Sequence, residues 1–339
     1  MSRTPTPKTL TLPAPRSLTY AYLHLPPASS SLPTLLFLHG FPSSAHDWAR
    51  QIAYFAPRGY GVLAPDLLGA GGTSRPVDVG KWRLNEMAAD VVALLDAEGL
   101  GSVVGVGHDW GSVILSRLAV LHPARIRAYA WLGLPFMEPI TQHFDLHAVM
   151  RLMKDYLGYE GYAYWEFFAR ADAAEVIERN TASFIQLLYP QDPDSWLTHL
   201  ALPGKTAAWM DGDTQPGYAD WLTADDIEAI TKNIRENGGI RASLNWYRAQ
   251  LADLDVADSK QIPKSAYTLT APSFYAVPLR DCICTPKRGR ATLAQYAGHE
   301  GAEITELELE AGHWPHLEKT EEVNEGLGAW LEGLGAEGL

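Results

Sequence analysis

An aspartate occupies the position where a sharp strand-to-helix turn would present a nucleophile. Residues 107–111 read Gly-His-Asp-Trp-Gly, between the apolar run Val103–Val106 and a helical pattern that starts at Ser112. Only small residues fit on both sides of such a turn, which pushes the central side chain, here Asp109, out of the fold. A carboxylate nucleophile suits attack on an sp3 carbon, because attack on an acyl group would give a reactive anhydride.

Two further residues complete a candidate nucleophile, acid and histidine set. Asp281 follows the strand-like run Ser273–Pro278, and His313 follows the strand-like run Ile304–Leu309. The carboxylate of an acid beside a histidine fixes the tautomer of the ring and stabilises its imidazolium form. We therefore predict Asp109 as the nucleophile, His313 as the base and Asp281 as its partner, in a chain order known for one α/β architecture.

A second turn is a candidate source of backbone donors for a developing oxyanion. The segment His39-Gly40-Phe41-Pro42 follows the short apolar run Thr34–Leu38. In this architecture the loop after that strand supplies one N–H, and the residue after the nucleophile supplies the other. The sequence therefore predicts an oxyanion hole made by the backbone N–H groups of Phe41 and Trp110.

The elements that must position these residues alternate between strand and helix. Strand-like runs at Thr34–Leu38, Gly61–Ala64, Val103–Val106 and Ile126–Leu132 are separated by helical patterns, among them Leu84–Glu98. Such alternation predicts an α/β fold with a mostly parallel central sheet flanked by helices.

The pattern changes after Gly133. Residues 136–247 are rich in aromatic side chains and are typical of helices and loops, without a convincing strand, and strand-like runs return at Ser273–Pro278. We predict a core formed by residues 1–135 and 248–339, interrupted by a helical cap at residues 136–247.

Composition excludes several classes of protein. The 339 residues carry a formal net charge of −13, which argues against a nucleic-acid-binding or anionic-membrane surface. The N-terminus lacks the long apolar core of a signal peptide, and no run approaches the ~18 apolar residues of a membrane span. Cys282 and Cys284 are separated by one residue, a spacing that rarely suits a disulfide. We expect a cytoplasmic protein.

Two weaker patterns in the sequence do not indicate a dinucleotide site or a metal site. The glycines at 105 and 107 open a helix, but the third glycine of a dinucleotide fingerprint would fall on Trp110, whose indole blocks close packing. His143-x-Asp145-x-His147 has no further ligand cluster beside it, so a solvated loop is the favoured interpretation. We therefore expect neither a cofactor nor a metal site.

At this point the chain resembles a known family, the soluble-type epoxide hydrolases of the α/β-hydrolase fold. The resemblance rests on HGFP at residue 39, GHDWG at residue 107, PDLLGAGGTSRP from residue 65, LNWYR at residue 244 and GHW at residue 312. It extends from about residue 18 to residue 331. The GHDWG turn combined with LNWYR after the cap is its most specific part.

The resemblance implies a two-step reaction without a cofactor. Asp109 attacks an epoxide carbon to form a glycol monoester, and water activated by His313 then hydrolyses this ester to a vicinal diol. The substrate implied is an apolar small molecule, and we expect a monomer or a homodimer.

The family also uses two cap tyrosines that donate to the epoxide oxygen. Alignment around Tyr-x-x-Phe-Phe makes Tyr164 the first, and the second is expected on the helix before LNWYR, where this chain has Ile230. Ile230 cannot donate a hydrogen bond, so one phenol suffices, another cap donor substitutes, or epoxide opening is not the reaction. The residues expected to contact substrate are Trp110, Tyr164, Ile230, His39 and Trp314.

Two alternatives remain open from the residues. Haloalkane dehalogenases also place tryptophan after the nucleophilic aspartate, as at Trp110, but they usually have asparagine where this chain has Phe41. A catalytically weakened member that binds a small apolar ligand is the other alternative, which Ile230 favours mildly and the complete catalytic set opposes.

Overall fold

A computed structural model describes residues 3–299 and 301–338. Within them eight strands form one sheet. The strands are β1 (Thr6–Thr11), β2 (Thr19–Leu25), β3 (Thr34–Leu38), β4 (Gly61–Pro65), β5 (Val103–His108), β6 (Ile126–Leu132), β7 (Ser273–Pro278) and β8 (Ile304–Leu309).

The strand order is β1-β2-β4-β3-β5-β6-β7-β8. β1 pairs antiparallel with β2 and β2 antiparallel with β4, whereas every later pair is parallel. β3, β4 and β5 are fully buried, in keeping with their continuous apolar sequences. The predicted mostly parallel sheet is confirmed, and the parallel strands bring their carboxyl ends to one edge.

The helices cover both faces of the sheet and form the cap. They are α1 (Ala49–Phe55), α2 (Leu84–Ala97), α3 (Trp110–Leu121), α4 (Leu146–Leu157), α5 (Tyr164–Ala169), α6 (Ala173–Arg179), α7 (Thr181–Leu188), α8 (Ser195–His199), α9 (Lys205–Asp211), α10 (Ala224–Arg235), α11 (Asn245–Leu251), α12 (Val256–Ser259), α13 (Pro286–Tyr296), α14 (Pro315–Glu318) and α15 (Thr320–Gly338).

Alternate residues of the central strands face two separate apolar cores. Leu36 and Leu38 of β3 belong to the larger core, with α2, α3 and the cap, whereas Leu35 and Phe37 belong to the smaller core, with α1 and α15. This division follows from the two-residue period of a strand. The sheet therefore gives α3, which carries Asp109 at its N-terminal end, a rigid support.

The chain between β6 and β7 contains only helices and loops, α4 to α12, in the part that the structure describes. The predicted cap at 136–247 lies in this stretch, although its predicted end falls inside α11, so the boundary remains a prediction. The predicted core ranges also contain residues 1, 2, 300 and 339, which lie outside the described residues. Among the described helices, none combines the length and apolarity needed to cross a membrane.

Candidate active site

The turn after β5 holds Asp109 in a strained backbone conformation. Asp109 has φ 51° and ψ −124°, although it is not a glycine. A Cβ at residue 107 would lie 2.9 Å from the Cα of Ser112, and one at residue 111 would overlap the Leu38 carbonyl group. A Cβ at residue 40 would overlap the Asp109 carboxylate. Glycine is therefore required by close approach on both sides of the turn and on the facing loop.

The structure brings the three predicted catalytic residues together. Nδ1 of His313 lies 2.8 Å from Oδ2 of Asp281, and Nε2 of His313 lies 3.7 Å from Oδ2 of Asp109. The other oxygen of Asp281 accepts hydrogen bonds from the backbone N–H groups of Ile283, at 2.7 Å, and Cys284, at 2.9 Å. Asp281 is thus fixed from both sides, which orients the imidazole toward Asp109.

The electrostatics of these groups favour charged forms. Burial opposes ionisation of Asp109, but the adjacent imidazole of His313 brings its pKa below the ordinary value. Burial likewise opposes ionisation of Asp281, and the charge of His313 lowers its pKa. Burial lowers the pKa of His313, yet the charge of Asp281 and the adjacent carboxylate of Asp109 raise it well above the ordinary value. The resting site therefore holds an ionised nucleophile beside an imidazolium.

One of the two predicted backbone donors contacts the carboxylate of the nucleophile. The N–H of Phe41 donates to Oδ1 of Asp109 at 2.8 Å. Trp110 is the first residue of α3, so its N–H is one of the helix N-terminal amides that lack an intrahelical acceptor. A negative charge that develops on Asp109 would face the positive end of the helix dipole. The arrangement can stabilise an oxyanion at this carboxyl carbon.

A buried histidine and a partly buried glutamate hold the loop that carries His313. Nε2 of His108 lies 2.8 Å from the carbonyl oxygen of His313, and burial lowers the pKa of His108 to about 3, so it donates as a neutral ring. The carboxylate of Glu318 accepts from the N–H of Gly312 at 2.7 Å and from that of Trp314 at 3.0 Å. The base is therefore anchored through its neighbours as well as through Asp281.

A cavity of about 270 Å³ lies over the nucleophile, between the core and the cap. Asp109 and Trp110 line it from the core, and Tyr164, Trp165 and Tyr247 line it from the cap side. Its surface is mostly apolar, as expected for a site that binds small organic molecules.

Two phenols share this cavity with Asp109. The rings of Tyr164 and Tyr247 lie 6.0 Å apart and nearly perpendicular, and Tyr247 also packs edge-on against Trp110 at 5.4 Å. Burial raises the pKa of both tyrosines well above the ordinary value, aided by Tyr247 for Tyr164 and by the charge of Asp109 for Tyr247. Both phenols therefore stay protonated at neutral pH and can donate hydrogen bonds.

Ile230 lies on α10, which packs against α7, and it is 3% exposed. It is not among the residues that line this cavity, and its contact with substrate remains a prediction. The structure adds Tyr247 to the residues that line the cavity. The signal that marks it in the sequence is the LNWYR motif, whose Tyr247 lies on α11.

His39 and Trp314 also lie outside the residues that line the cavity over Asp109. Nε2 of His39 accepts from the N–H of Leu67 at 2.8 Å, and Nδ1 lies 2.8 Å from the Gly40 carbonyl oxygen, so both ring nitrogens are engaged within the core. The indole N–H of Trp314 donates to the Leu188 carbonyl oxygen at 2.7 Å. Both side chains bond to backbone groups of neighbouring segments and do not line the cavity.

One group of side chains has the donor types that bind a metal ion. Asp281, Cys284 and His313 each offer one ligand atom, and these atoms lie within 4.8 Å of one another. Two members of the group, Asp281 and His313, are the hydrogen-bonded acid and base described above. Burial raises the pKa of Cys284 to about 11, which keeps the thiol protonated.

Comparisons with known proteins find similar chains among epoxide hydrolases. The chain is 29% identical to "Epoxide hydrolase A" of Mycobacterium tuberculosis, over 89% of this chain and 91% of that protein. It is 26% identical to "Bifunctional epoxide hydrolase 2" of Sus scrofa over 94% of its own length but spans only about half, 56%, of that relative. Among solved structures, an epoxide hydrolase from an endophytic Streptomyces superposes with a TM-score of 0.79 at 25% identity, covering 98% and 96% of the two chains.

The predicted resemblance to epoxide hydrolases is confirmed by these relatives. In addition, the family model described as "alpha/beta hydrolase fold" matches residues 33–320. This match includes the nucleophile turn, the cap and the histidine loop. The chain belongs to the α/β-hydrolase fold family.

Proposed function

We propose that the protein is an epoxide hydrolase that opens an epoxide to a vicinal diol through a covalent ester on Asp109. The single observation that carries the proposal is the placement of two neutral phenols, Tyr164 and Tyr247, in the same cavity as the ionised Asp109. Phenols that donate hydrogen bonds in the same cavity as a carboxylate nucleophile suit a substrate whose leaving oxygen must be protonated. The names of the curated and solved relatives support the same reaction.

In the first step a carboxylate oxygen of Asp109 bonds to one epoxide carbon, and the carbon–oxygen bond of the ring breaks. The electron pair of that bond goes to the epoxide oxygen, which takes a proton from a phenol of Tyr164 or Tyr247. Preorganised donors of this kind stabilise the developing alkoxide without reorganising at the moment of reaction. The step leaves a neutral ester on Asp109.

In the second step His313 removes a proton from water, which attacks the carbonyl carbon of the ester. Esterification removes the negative charge of Asp109 from beside His313, so the pKa of the imidazole falls. The imidazolium then gives its proton, through water, to the phenolate that the first step leaves, which restores the phenol and makes the neutral ring available as a base. The N–H groups of Phe41 and Trp110 stabilise the oxyanion, and its collapse releases the diol and restores the carboxylate. Only water is consumed.

A single turnover in heavy-oxygen water tests the covalent route. With enzyme in excess over a panel of apolar epoxides, the heavy oxygen should enter the Asp109 carboxylate, and the diol should carry an oxygen that came from the enzyme. Mass spectrometry of the peptide that contains Asp109 and of the diol measures both. Label found only in the diol would exclude the ester.

Matched variants and a second substrate panel complete the test. Asp109→Asn should form no ester, whereas His313→Gln should form the ester and hold it. Simple haloalkanes, with halide release as the readout, separate epoxide opening from dehalogenation. Halide release faster than diol formation would replace the proposed reaction with dehalogenation.

A further inference from the structure

One segment of the cap covers the acid and the base, outside the cavity that contains Asp109. This cover segment runs from residue 190, just after α7, to Trp196 in α8, and none of its residues lines that cavity. The side chains that it covers are closed to solvent, since that of Asp281 is 0% exposed and that of His313 is 6% exposed. The steps proposed above give the cover segment no role.

The indole of Trp196 packs on the imidazole of His313. The ring centroids lie 4.8 Å apart, and the ring planes are tilted by 37°. The rings of His108 and Trp314 also contact His313, at 4.9 and 5.1 Å, but both belong to the core. Among these three rings, Trp196 is the one that the cap supplies. Its indole N–H donates to the Leu187 carbonyl oxygen at 2.8 Å, which fixes the orientation of the indole from its other end.

The cover segment is joined to the two catalytic loops at further places. Nη2 of Arg280 lies 2.6 Å from Oδ1 of Asp192 and 2.7 Å from Oδ2 of Asp194, and Arg280 directly precedes the acid. A Cβ at Gly312, directly before the base, would lie 2.6 Å from Cβ of Pro193. Exposed ion pairs add little to stability, so the main effect of these contacts is to hold the cover segment in place.

A cavity of about 10 Å³ lies between the cover segment and the catalytic pair. Pro190, Pro193 and Trp196 line it from the cap, and Asp281 and His313 line it from the core. A single water molecule needs about 10 to 15 Å³ of such space, so the cavity holds one at most. Trp196 is thus part of the wall that keeps further water from the pair.

We propose that Trp196 is a positioning residue for the base, and that the cover segment shields the hydrogen bond between His313 and Asp281 from bulk water. The inference rests on the proposed function, because it assigns Trp196 to the step in which His313 activates water. Hydrogen bonds are stronger at low dielectric, and water that reached the carboxylate of Asp281 would compete for it. An imidazole bonded to Asp281 and packed against Trp196 keeps its Nε2 aimed at Asp109, 3.7 Å away.

Solvent exchange of the proton between His313 and Asp281 measures this shielding directly. The N–H of a histidine bonded to a carboxylate gives a separate downfield proton NMR resonance, and saturation transfer from water measures its exchange rate. The resonance is identified by its loss in His313→Gln. Exchange should be at least about tenfold faster in Trp196→Leu than in wild type, because leucine leaves part of the imidazole uncovered. Trp196→Phe keeps a flat ring and should remain within about threefold of wild type.

Trp209 provides a matched control elsewhere in the cap. Its ring lies 5.0 Å from that of His199, and its indole N–H donates to the Ser183 carbonyl oxygen at 3.0 Å. Its surroundings therefore repeat those of Trp196, beside a histidine that the proposed reaction does not use. Trp209→Leu should leave the exchange rate at the wild-type value. Equal acceleration by Trp209→Leu and Trp196→Leu would indicate a general loosening of the cap and would overturn the inference.

The rates of the two chemical steps separate positioning of the base from a general defect of the cap. In single turnovers with an epoxide, Trp196→Leu should form the ester within about twofold of the wild-type rate, because attack by Asp109 needs no base. It should hydrolyse the ester about 10- to 100-fold more slowly, and Trp196→Phe should recover most of that loss. An equal loss in both steps, or no loss in hydrolysis, would overturn the role of Trp196.

The exchange measurement needs no epoxide, so it separates failure of this inference from failure of the proposed function. Faster exchange in Trp196→Leu, together with no ester on any variant, would support the shielding and reject the proposed function. The same exchange rate in Trp196→Leu and wild type would overturn the inference. If Trp196→Leu does not fold, Asp192→Asn combined with Asp194→Asn loosens the cover segment from the surface and should accelerate exchange about two- to fivefold. An unchanged rate in that double variant would likewise overturn the inference.

Discussion

Nε2 of His313 lies 3.7 Å from a carboxylate oxygen of Asp109, so the base and the nucleophile influence each other's ionisation. The pKa of Asp109 is lowered, and ester formation therefore continues in mild acid. Hydrolysis of the ester requires a neutral His313, and the charge of Asp281 still acts in the ester to raise the pKa of this imidazole, so ester hydrolysis is lost as pH falls. Intact-protein mass spectrometry during turnover should show more esterified enzyme near about pH 5 than near about pH 8. Equal amounts at both values would contradict the proposed division of roles.

The two phenols of the cavity should be needed for ester formation. Tyr164→Phe and Tyr247→Phe should each slow it by about 100-fold, because each removes one donor to the epoxide oxygen. Single-turnover appearance of the ester measures this rate. The control is Ile230→Val, since Ile230 lies in the cap away from the cavity and the variant should retain the wild-type rate. A normal rate for Tyr247→Phe would exclude Tyr247 as the second donor.

Gly111, two residues after the nucleophile, should be important for the stability of the fold. Gly111→Ala should destabilise the fold by about 3 kcal/mol, because the added methyl group overlaps the Leu38 carbonyl group. Gly101→Ala is the matched control, since a Cβ there has no neighbour within 4 Å. It should change the free energy of unfolding by no more than about 0.5 kcal/mol. Urea unfolding of both variants measures the difference, and similar values would refute the predicted overlap.

Glu318 should position the base without contacting substrate. Glutamine has one acceptor oxygen, so Glu318→Gln leaves either the Gly312 or the Trp314 N–H without its partner and loosens the loop that carries His313. We expect kcat to fall about 10- to 100-fold and KM to fall with it, because slower hydrolysis of the ester lowers both constants. Ester should accumulate, because the second step depends on the base. The exposed Glu321, changed to glutamine, serves as the control.

The residues that follow strands could be placed from the sequence. Asp109, Asp281 and His313 follow β5, β7 and β8, and parallel strands bring their carboxyl ends to one edge. Apolar runs with β-branched residues marked these strands, and Ile126–Leu132 was predicted with the bounds observed. Because these strands are parallel and can be recognised in the sequence, a single sequence is enough to predict which side chains meet at the site.

The cap could be predicted in kind but not in detail. Backbone hydrogen bonds fix the relative positions of neighbouring strands, but no such pairing joins the helices of the cap. Whether Ile230 or Tyr247 faces the nucleophile therefore depends on how the side chains of α10 and α11 pack. Amphipathic spacing identifies the buried face of a helix but not which neighbour that face meets.

The hydrogen bond from Trp314 to the Leu188 carbonyl oxygen joins the residue after the base to the last residue of α7 in the cap. Trp314 also stacks on Tyr189, with ring centroids 4.2 Å apart. A cap that swings away must break this bond and expose both rings, at a cost of at least about 1 kcal/mol for the bond alone. Trp314 therefore couples the position of the cap to the position of the loop that carries His313.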